Sequence, residues 1–165
     1  ASYYFSNHNR IWGWATWKRV WQKYDYHISQ DTNESICELI NHQFSRKRDR
    51  DYWTRVLCNV LDNRMDDSCW DFQFMYLQWK LGGLTLTTNV NLVSNIGDGP
   101  DATHTNWENN PNLNRKVESL YPIVYADEVI LSANADNYYM DKYILYHKNI
   151  FQRIVRKIVK IIRRK

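Results

Sequence analysis

The densest group of residues suited to ligand recognition lies near the start of the chain, where four of the eight tryptophans fall within residues 11–21. Tryptophan offers a broad, rigid surface at low entropic cost. Trp14, Trp17 and Trp21 recur at i, i+3 and i+7, which predicts one face of a helix over about 14–24, and burial preferences favour a core role for all three. Trp12 and Gly13 precede that helix and could form an aromatic rim for a flat polar ligand such as a sugar ring, because glycine permits close backbone approach. Trp14, beside them, is a further candidate for substrate binding.

A second group of polar residues lies further along the chain, at Asn91, Ser94, Asn95 and Gly97. Asparagine and serine side chains both donate and accept hydrogen bonds, so they could bind sugar hydroxyls or phosphate oxygens. The alternative is an ordinary Asn/Gly turn. The residues therefore predict a substrate-binding segment, with a turn as the competing interpretation.

Three segments carry a resemblance to a known family. They are residues 11–21 (Ile-Trp-Gly-Trp-Ala-Thr-Trp-Lys-Arg-Val-Trp) followed by Tyr24-Asp25, residues 69–74 (Cys-Trp-Asp-Phe-Gln-Phe), and residues 83–97 (Gly-Leu-Thr-Leu-Thr-Thr-Asn-Val-Asn-Leu-Val-Ser-Asn-Ile-Gly) continuing through 98–105. In order and spacing, across about residues 3–140, the chain resembles the C-terminal, acceptor-side half of bacterial GT-A-type nucleotide-sugar glycosyltransferases. The resemblance implies an α/β fold that is helix-dominated in this part, with a few short strands. The nucleotide-binding βαβ units and the metal-binding Asp-x-Asp of such enzymes belong to an N-terminal half that is absent here.

The resemblance also implies roles for individual residues. Asp71 matches an acid that serves as catalytic base in related inverting enzymes, with Trp70 beside it at the substrate; Asp66 and Asp67 are rival carboxylates. His104 matches a histidine that completes the metal shell or touches the diphosphate. The complete enzyme would use a divalent metal, Mn or Mg, and a nucleotide-sugar donor. From the residues alone, Asp71 could simply complement the positive end of a helix dipole, and His104 could be solvated.

One literal Asp-x-Asp does occur, at Asp49-Arg50-Asp51. In these glycosyltransferases the metal motif follows an apolar strand. Here it lies among Arg46, Lys47 and Arg48, whose charges would repel a divalent cation. We interpret it as part of a solvated, charged connection over residues 45–51.

The basic residues of the chain are concentrated at its C-terminal end. Residues 148–165 contain eight of the 22 Lys and Arg residues and no acid, which leaves 14 basic against 18 acidic residues in 1–147. A basic nucleic-acid-binding body is therefore not indicated. Apolar residues recur every three or four positions in 148–165, which is typical of a helix lying on an anionic membrane. We predict a glycosyltransferase-type domain over 1–147 and a membrane-surface anchor over 148–165; the alternative is a helix packed on a protein domain.

Composition sets further limits. The 165 residues suffice for one domain with a core, and the aromatic fraction of 15% argues against disorder. No apolar run reaches the ~18 residues of a membrane span. Cys37, Cys58 and Cys69 form no C-x-x-C pair and are expected to be thiols in a reducing compartment. The expected location is the cytoplasm, peripheral to the inner face of the cell membrane, and the start at Ala1 is expected to be interior to a longer sequence or trimmed.

Periodicity and capping signals predict the elements that would position these residues. Besides 14–24, helices are expected at about 33–44, 51–64, 69–81 and 136–162, the last with a break near 147. Ser68 is the expected N-cap of the fourth helix, and Gly82-Gly83 its stop. One or two short strands are expected, since 84–87 alternates with period two and 90–94 is β-prone, and a short extended segment is expected over about 121–131. Residues 95–115 read as a loop, within which 97–112 would form a mobile lid.

Three functions follow from these observations. The first is transfer of a sugar from a nucleotide-sugar donor to a glycan or lipid-linked acceptor in surface glycan assembly, with this chain inactive unless joined to its donor-binding half. The second is a non-catalytic carbohydrate- or lipid-binding module that uses the tryptophans. The third is an adaptor whose only activity is membrane or partner binding through its basic end.

Overall fold

The computed structural model describes residues 1–63, 69–96 and 115–145. In chain order the elements are β1 (Tyr3–Ser6), α1 (Lys18–Trp21), α2 (Asn33–Gln43), α3 (Lys47–Leu61), α4 (Asp71–Lys80), β2 (Thr85–Thr88), α5 (Ala133–Tyr139) and a π-helical turn (Met140–Ile144). The described part is thus helix-rich with a small two-stranded sheet, which is compatible with a mixed α/β class. The chain divides into two compact units, Ala1–Ser132 and Ala133–Lys165.

The core of the first unit lies among α2, α3 and α4, which contact one another pairwise. Its largest fully buried side chains include Trp53, Tyr76, Ile36, Ile40 and Leu57. The apolar faces of α2 and α3 agree with the sequence periodicity. Helix α4 does not present a single face, because every residue from Gln73 to Trp79 is buried. All-round burial of this kind marks a central helix with neighbours on several sides.

Hydrogen bonds from α4 connect this helix to two other parts of the chain, the residue after β1 and the residues before α2. Trp79 Nε1 donates to the carbonyl of Asn7, just after β1, over 2.7 Å. The Tyr76 hydroxyl and the Lys80 ammonium each donate to a different oxygen of Asp31, both over 2.8 Å. Burial and then this bonded carboxylate raise the pKa of Tyr76. The position of α4 is therefore set by polar contacts as well as by packing.

The helix boundaries agree with prediction where the local signal is strong. A capping box starts α2, since Thr32 Oγ1 accepts from Ser35 N while Ser35 Oγ accepts from Thr32 N. Helix α4 ends as predicted, with Gly82 at φ +60 immediately beyond it. Its start differs, because the helix begins at Asp71 with Trp70 in the N-cap position, instead of at residue 69 behind a Ser68 cap.

The sequence predicts a solvated connection over the charged stretch 45–51. The structure instead places most of this stretch in the first turns of α3. That helix begins at Lys47, four residues earlier than predicted. Arg46 occupies its N-cap position and binds Asp49 through Nε (2.6 Å) and Nη2 (3.0 Å). Because this pair neutralises the charge, Asp49 is only 3% exposed. The ion pair between Arg46 and Asp49 thus allows charged residues to form the first turn of α3 with one carboxylate buried.

The sheet joins two segments that are distant in sequence. Strand β1 pairs antiparallel with β2 in the register Tyr3↔Thr88, Tyr4↔Thr87, Phe5↔Leu86 and Ser6↔Thr85. The expected strand over 84–87 is confirmed within one residue, whereas 90–94 forms no strand. In the extended segment 121–131, Leu131 makes a parallel bridge to Phe5.

Helix α1 is much shorter than the predicted helix over 14–24. It spans four residues, Lys18–Trp21, with Trp17 in the N-cap position and Trp14 before the helix. The three helical tryptophans are not core: Trp14 is 37% exposed, Trp17 is 66% and Trp21 is 43%. A single turn presents too small a surface to cover three indole rings.

The second unit is described only as far as residue 145. Helix α5 starts three residues before the predicted 136 and passes directly into the π-helical turn. Asp66, Asp67, Gly97, His104, the whole of the expected lid over 97–112 and all of 148–165 lie outside the described residues, so the roles expected of them stay predictions. Within the described ranges, the structure contains no helix with the length and apolar character needed to cross a bilayer.

Candidate functional site

The rings around Trp14 form a contiguous patch, which we call the aromatic cluster. Its members are Trp14, Trp21, Tyr24, Trp70 and Phe74. The Trp14 ring centroid lies 5.2 Å from those of Trp70 and Phe74 and 5.8 Å from that of Trp21. Trp21 and Tyr24 stack face to face, with centroids 4.8 Å apart and planes at 4°. Since Trp14 and Trp21 are more than a third exposed, the cluster presents aromatic surface to solvent.

Two pieces of chain build this cluster. Trp70 and Phe74 are four residues apart at the start of α4, which places them on one side of the helix. Trp21 and Tyr24 come from the end of α1 and the turn after it. The Tyr24 hydroxyl donates to the Trp70 carbonyl over 2.9 Å and so fixes the two pieces together. Trp17 is not a member; its contact is with the Arg19 guanidinium, 5.0 Å from the ring centroid.

Asp71 lies at the edge of the aromatic cluster, as the first residue of α4. Its backbone carbonyl accepts a hydrogen bond from Asn9 Nδ2 over 3.3 Å, and the residue is half-buried. Burial raises the pKa of Tyr24 to about 12, with smaller contributions from the charges of Tyr26, Asp71 and Asp25. Tyr24 therefore stays protonated at neutral pH, within electrostatic range of the Asp71 carboxylate. The position of Asp71 in the first turn also suits the dipole role that the sequence left open.

Gly13 brings the first predicted substrate-binding group against the second. A Cβ placed on Gly13 would lie 2.2 Å from Val93 Cγ2, so the backbone of the Trp12–Gly13 turn packs directly on the 91–95 segment. The sequence predicts that Gly13 allows a ligand to approach the backbone closely, but in the structure the group that approaches it is the Val93 side chain. Trp12 remains 46% exposed beside this contact. The structure therefore places Trp12, Gly13 and the 91–95 segment together.

The polar side chains of that segment differ in their surroundings. Asn91 Nδ2 donates to the Lys116 carbonyl over 3.1 Å, and the Asn91 carbonyl accepts from Glu118 N over 2.9 Å. Asn91 therefore anchors residues 116–118 in this structure. Ser94 and Asn95 are half-exposed.

No metal centre is evident among residues 1–63, 69–96 and 115–145, where no three His, Cys, Asp or Glu side chains are placed to hold an ion. The Asp49-Arg50-Asp51 sequence is instead engaged in ion pairs. Arg46 holds Asp49, and the Lys47 ammonium lies 2.7 Å from an oxygen of Asp51.

Sequence reasoning missed two members of the cluster, Tyr24 and Phe74. Each carried a local signal: Tyr24 follows Trp21 by three residues, and Phe74 follows Trp70 by four. Comparisons with protein-family models, with curated proteins and with solved structures find no match to this chain.

Proposed function

We propose that this chain is the acceptor-side part of a GT-A-type glycosyltransferase that moves a sugar from a nucleotide-sugar donor to an acceptor hydroxyl. The donor-binding half and the divalent metal belong to the complete enzyme, which would work in surface glycan assembly at the inner face of the cell membrane. The observation that carries the proposal is an exposed aromatic cluster with a carboxylate, Asp71, at its edge.

The aromatic cluster is suited to an acceptor sugar. Sugar rings present flat apolar C–H faces that pack on indole rings, while their hydroxyls need polar partners at the rim. Trp14 and Trp21 supply exposed rings that their neighbours already hold in place, so little entropy is lost when a sugar binds. Trp12 supplies a further exposed ring next to the contact between Gly13 and Val93, and the side chains of Ser94 and Asn95 in that segment can exchange hydrogen bonds with hydroxyls.

Asp71 supplies the chemistry required by an inverting transfer. As the acceptor oxygen bonds to the anomeric carbon, the bond to the nucleoside diphosphate breaks and the acceptor proton passes to a carboxylate oxygen. Asp71 would accept that proton beside the ring on which the acceptor packs.

The first experiment measures sugar binding to the chain itself. Tryptophan fluorescence and NMR titration with neutral oligosaccharides of glucose, galactose and N-acetylglucosamine should show binding to the wild-type chain. Trp21→Ala, at a member of the cluster that is 43% exposed, should weaken that binding about tenfold, as is common for an aromatic anchor. Trp17→Ala is the matched control, because Trp17 is exposed but lies outside the cluster. Equal effects of the two substitutions, or no binding to the wild type, would count against an acceptor site here.

The second experiment separates an enzyme from a binding module. In the chain joined to its donor-binding half, Asp71→Asn should lower transfer by ~10²-fold or more while oligosaccharide binding stays unchanged. The alternative function, a non-catalytic carbohydrate- or lipid-binding module with a membrane-binding end, is supported by the same exposed rings. It predicts binding without transfer and no special effect of Asp71→Asn.

A further inference from the structure

A polar groove runs along one face of α3 where that helix packs against α2. Its volume is about 500 Å³. Helix α2 contributes Cys37 and Asn41, which are one turn apart. Helix α3 contributes Lys47, Arg50, Asp51, Thr54 and Arg55, which recur at helical spacing. None of these residues belongs to the aromatic cluster or to the 91–95 segment.

The groove carries a positive charge that its own acid does not cancel. Three cations line it against one carboxylate, and the Lys47 ammonium already lies 2.7 Å from an oxygen of Asp51. Arg55 has the Tyr52 ring, 5.5 Å from its guanidinium carbon, as its one partner among the described residues. Its hydrogen-bond donors therefore remain available to a ligand.

Arg50 adds a guanidinium whose position is fixed. Its Nη1 donates to the carbonyls of Phe44 and Ser45, over 3.0 and 2.5 Å, in the connection between α2 and α3. These two hydrogen bonds hold the side chain in place, so its positive charge stays at the groove.

We propose that this groove binds a phosphate-bearing group. Arg55 and Lys47 would supply the charge, with further hydrogen bonds from the Asn41 amide and the Thr54 hydroxyl. A tetrahedral anion with several acceptor oxygens fits donors that converge from two helices, and guanidinium groups bind phosphate through paired N–H donors. A soluble molecule and a lipid headgroup both carry such a phosphate, and the chemistry at the groove is the same for either source.

Cys37 provides a reporter inside the groove. In a Cys58→Ser/Cys69→Ser chain, Cys37 is the only thiol left, and its labelling rate is measured with the anionic disulfide reagent DTNB and with a neutral dipyridyl disulfide. The ratio of the anionic rate to the neutral rate should be several-fold higher in this chain than in the same chain carrying Lys47→Gln and Arg55→Gln. Millimolar inorganic phosphate should slow labelling by the neutral reagent. The phosphate concentration that gives half protection should rise about tenfold in the double variant. Lys23→Gln, which removes an exposed cation outside the groove, should change neither result.

A vesicle arm separates the two sources of phosphate. Protection of Cys37 by phosphatidylglycerol vesicles but not by inorganic phosphate would assign the groove to a lipid headgroup, and the converse would assign it to a soluble phosphate compound. The groove variants must reduce protection in whichever arm shows it. Absence of protection in both arms, or protection unaffected by Lys47→Gln and Arg55→Gln, would overturn the proposal. Circular dichroism confirms that each variant remains folded.

Discussion

The backbone of Gly13 packs on the side chain of Val93, so closely that a Cβ at residue 13 would lie 2.2 Å from Val93 Cγ2. Gly13 also adopts φ +62, a conformation that strains other residues. Two independent requirements, space and backbone geometry, therefore fix glycine at this position. The contact joins the aromatic start of the chain to the polar 91–95 segment and so shapes the candidate site.

Gly13→Ala should destabilise the chain by about 2–5 kcal/mol, from ~1–2 kcal/mol of left-handed strain and ~1–3 kcal/mol of overpacking. Adding Val93→Ala should recover the overpacking part and leave the strain. Denaturant unfolding of both single variants and the double variant measures the coupling. If the two effects simply add, Gly13 and Val93 do not contact each other as described.

His8 links folding to pH. His8 is 1% exposed, and its ring packs against both Phe44 and Trp53, with centroids 5.8 and 5.7 Å away, while those two rings also contact each other at 6.5 Å. Burial, followed by the charges of Arg10 and Arg46, lowers the pKa of His8 from 6.5 to about 3. The folded chain therefore keeps His8 neutral at pH values where the unfolded chain protonates it.

Because the unfolded state binds the extra proton, the free energy of unfolding should fall as the pH drops below about 6.5. The slope from His8 approaches ~1.4 kcal/mol per pH unit and ends near the folded pKa. His8→Phe, which keeps an aromatic ring, should flatten the profile between pH 6 and 4. Urea unfolding across this range gives the comparison, and equal slopes for wild type and His8→Phe would exclude the assignment.

The sequence predicts an element well where the signal is local. Helix α2 begins at the Thr32 capping box and α4 stops at Gly82, and both signals lie within a few residues of the boundary that they set. Strand β1 escaped prediction because its partner, β2, lies about 80 residues further along the chain. Four residues carry too little periodicity to reveal a strand whose stability comes from that pairing.

Burial of aromatic and charged side chains was harder to predict. The spacing of Trp14 and Trp21 correctly placed their rings together, but a turn and a one-turn helix achieve this, and both stay partly exposed. Asp49 shows the reverse, since a charged residue in a charged sequence is buried once Arg46 pairs with it. Composition records the charges, whereas burial depends on which partner the fold supplies.

The basic segment 148–165 should bind anionic membranes. Its eight cations and regularly spaced apolar residues predict an interfacial helix, and each Lys or Arg near the surface adds on the order of 1 kcal/mol. Deleting 148–165 should abolish sedimentation with phosphatidylglycerol vesicles and leave the Tm of the remainder nearly unchanged. Raising the salt concentration should weaken wild-type binding, because the attraction is partly Coulombic. A large drop in Tm on deletion would instead indicate that the segment packs on a protein surface.

Asp49 and Asp51 stand two residues apart but should respond very differently to substitution. The Asp49 side chain is 4% exposed and held by Arg46, whereas Asp51 is 61% exposed and paired with an exposed Lys47. Asp49→Ala should cost about 3 kcal/mol, because it leaves a partly buried guanidinium without its carboxylate. Asp51→Ala should change stability by less than about 1 kcal/mol, as is usual for exposed ion pairs. Urea unfolding is measured in one sample with EDTA and in a second sample with Mn²⁺ and no EDTA. The comparison tells whether Asp49 and Asp51 act through ion pairs or by binding a metal. If both carboxylates instead served a metal, the two substitutions would have similar effects and wild-type stability would rise with Mn²⁺.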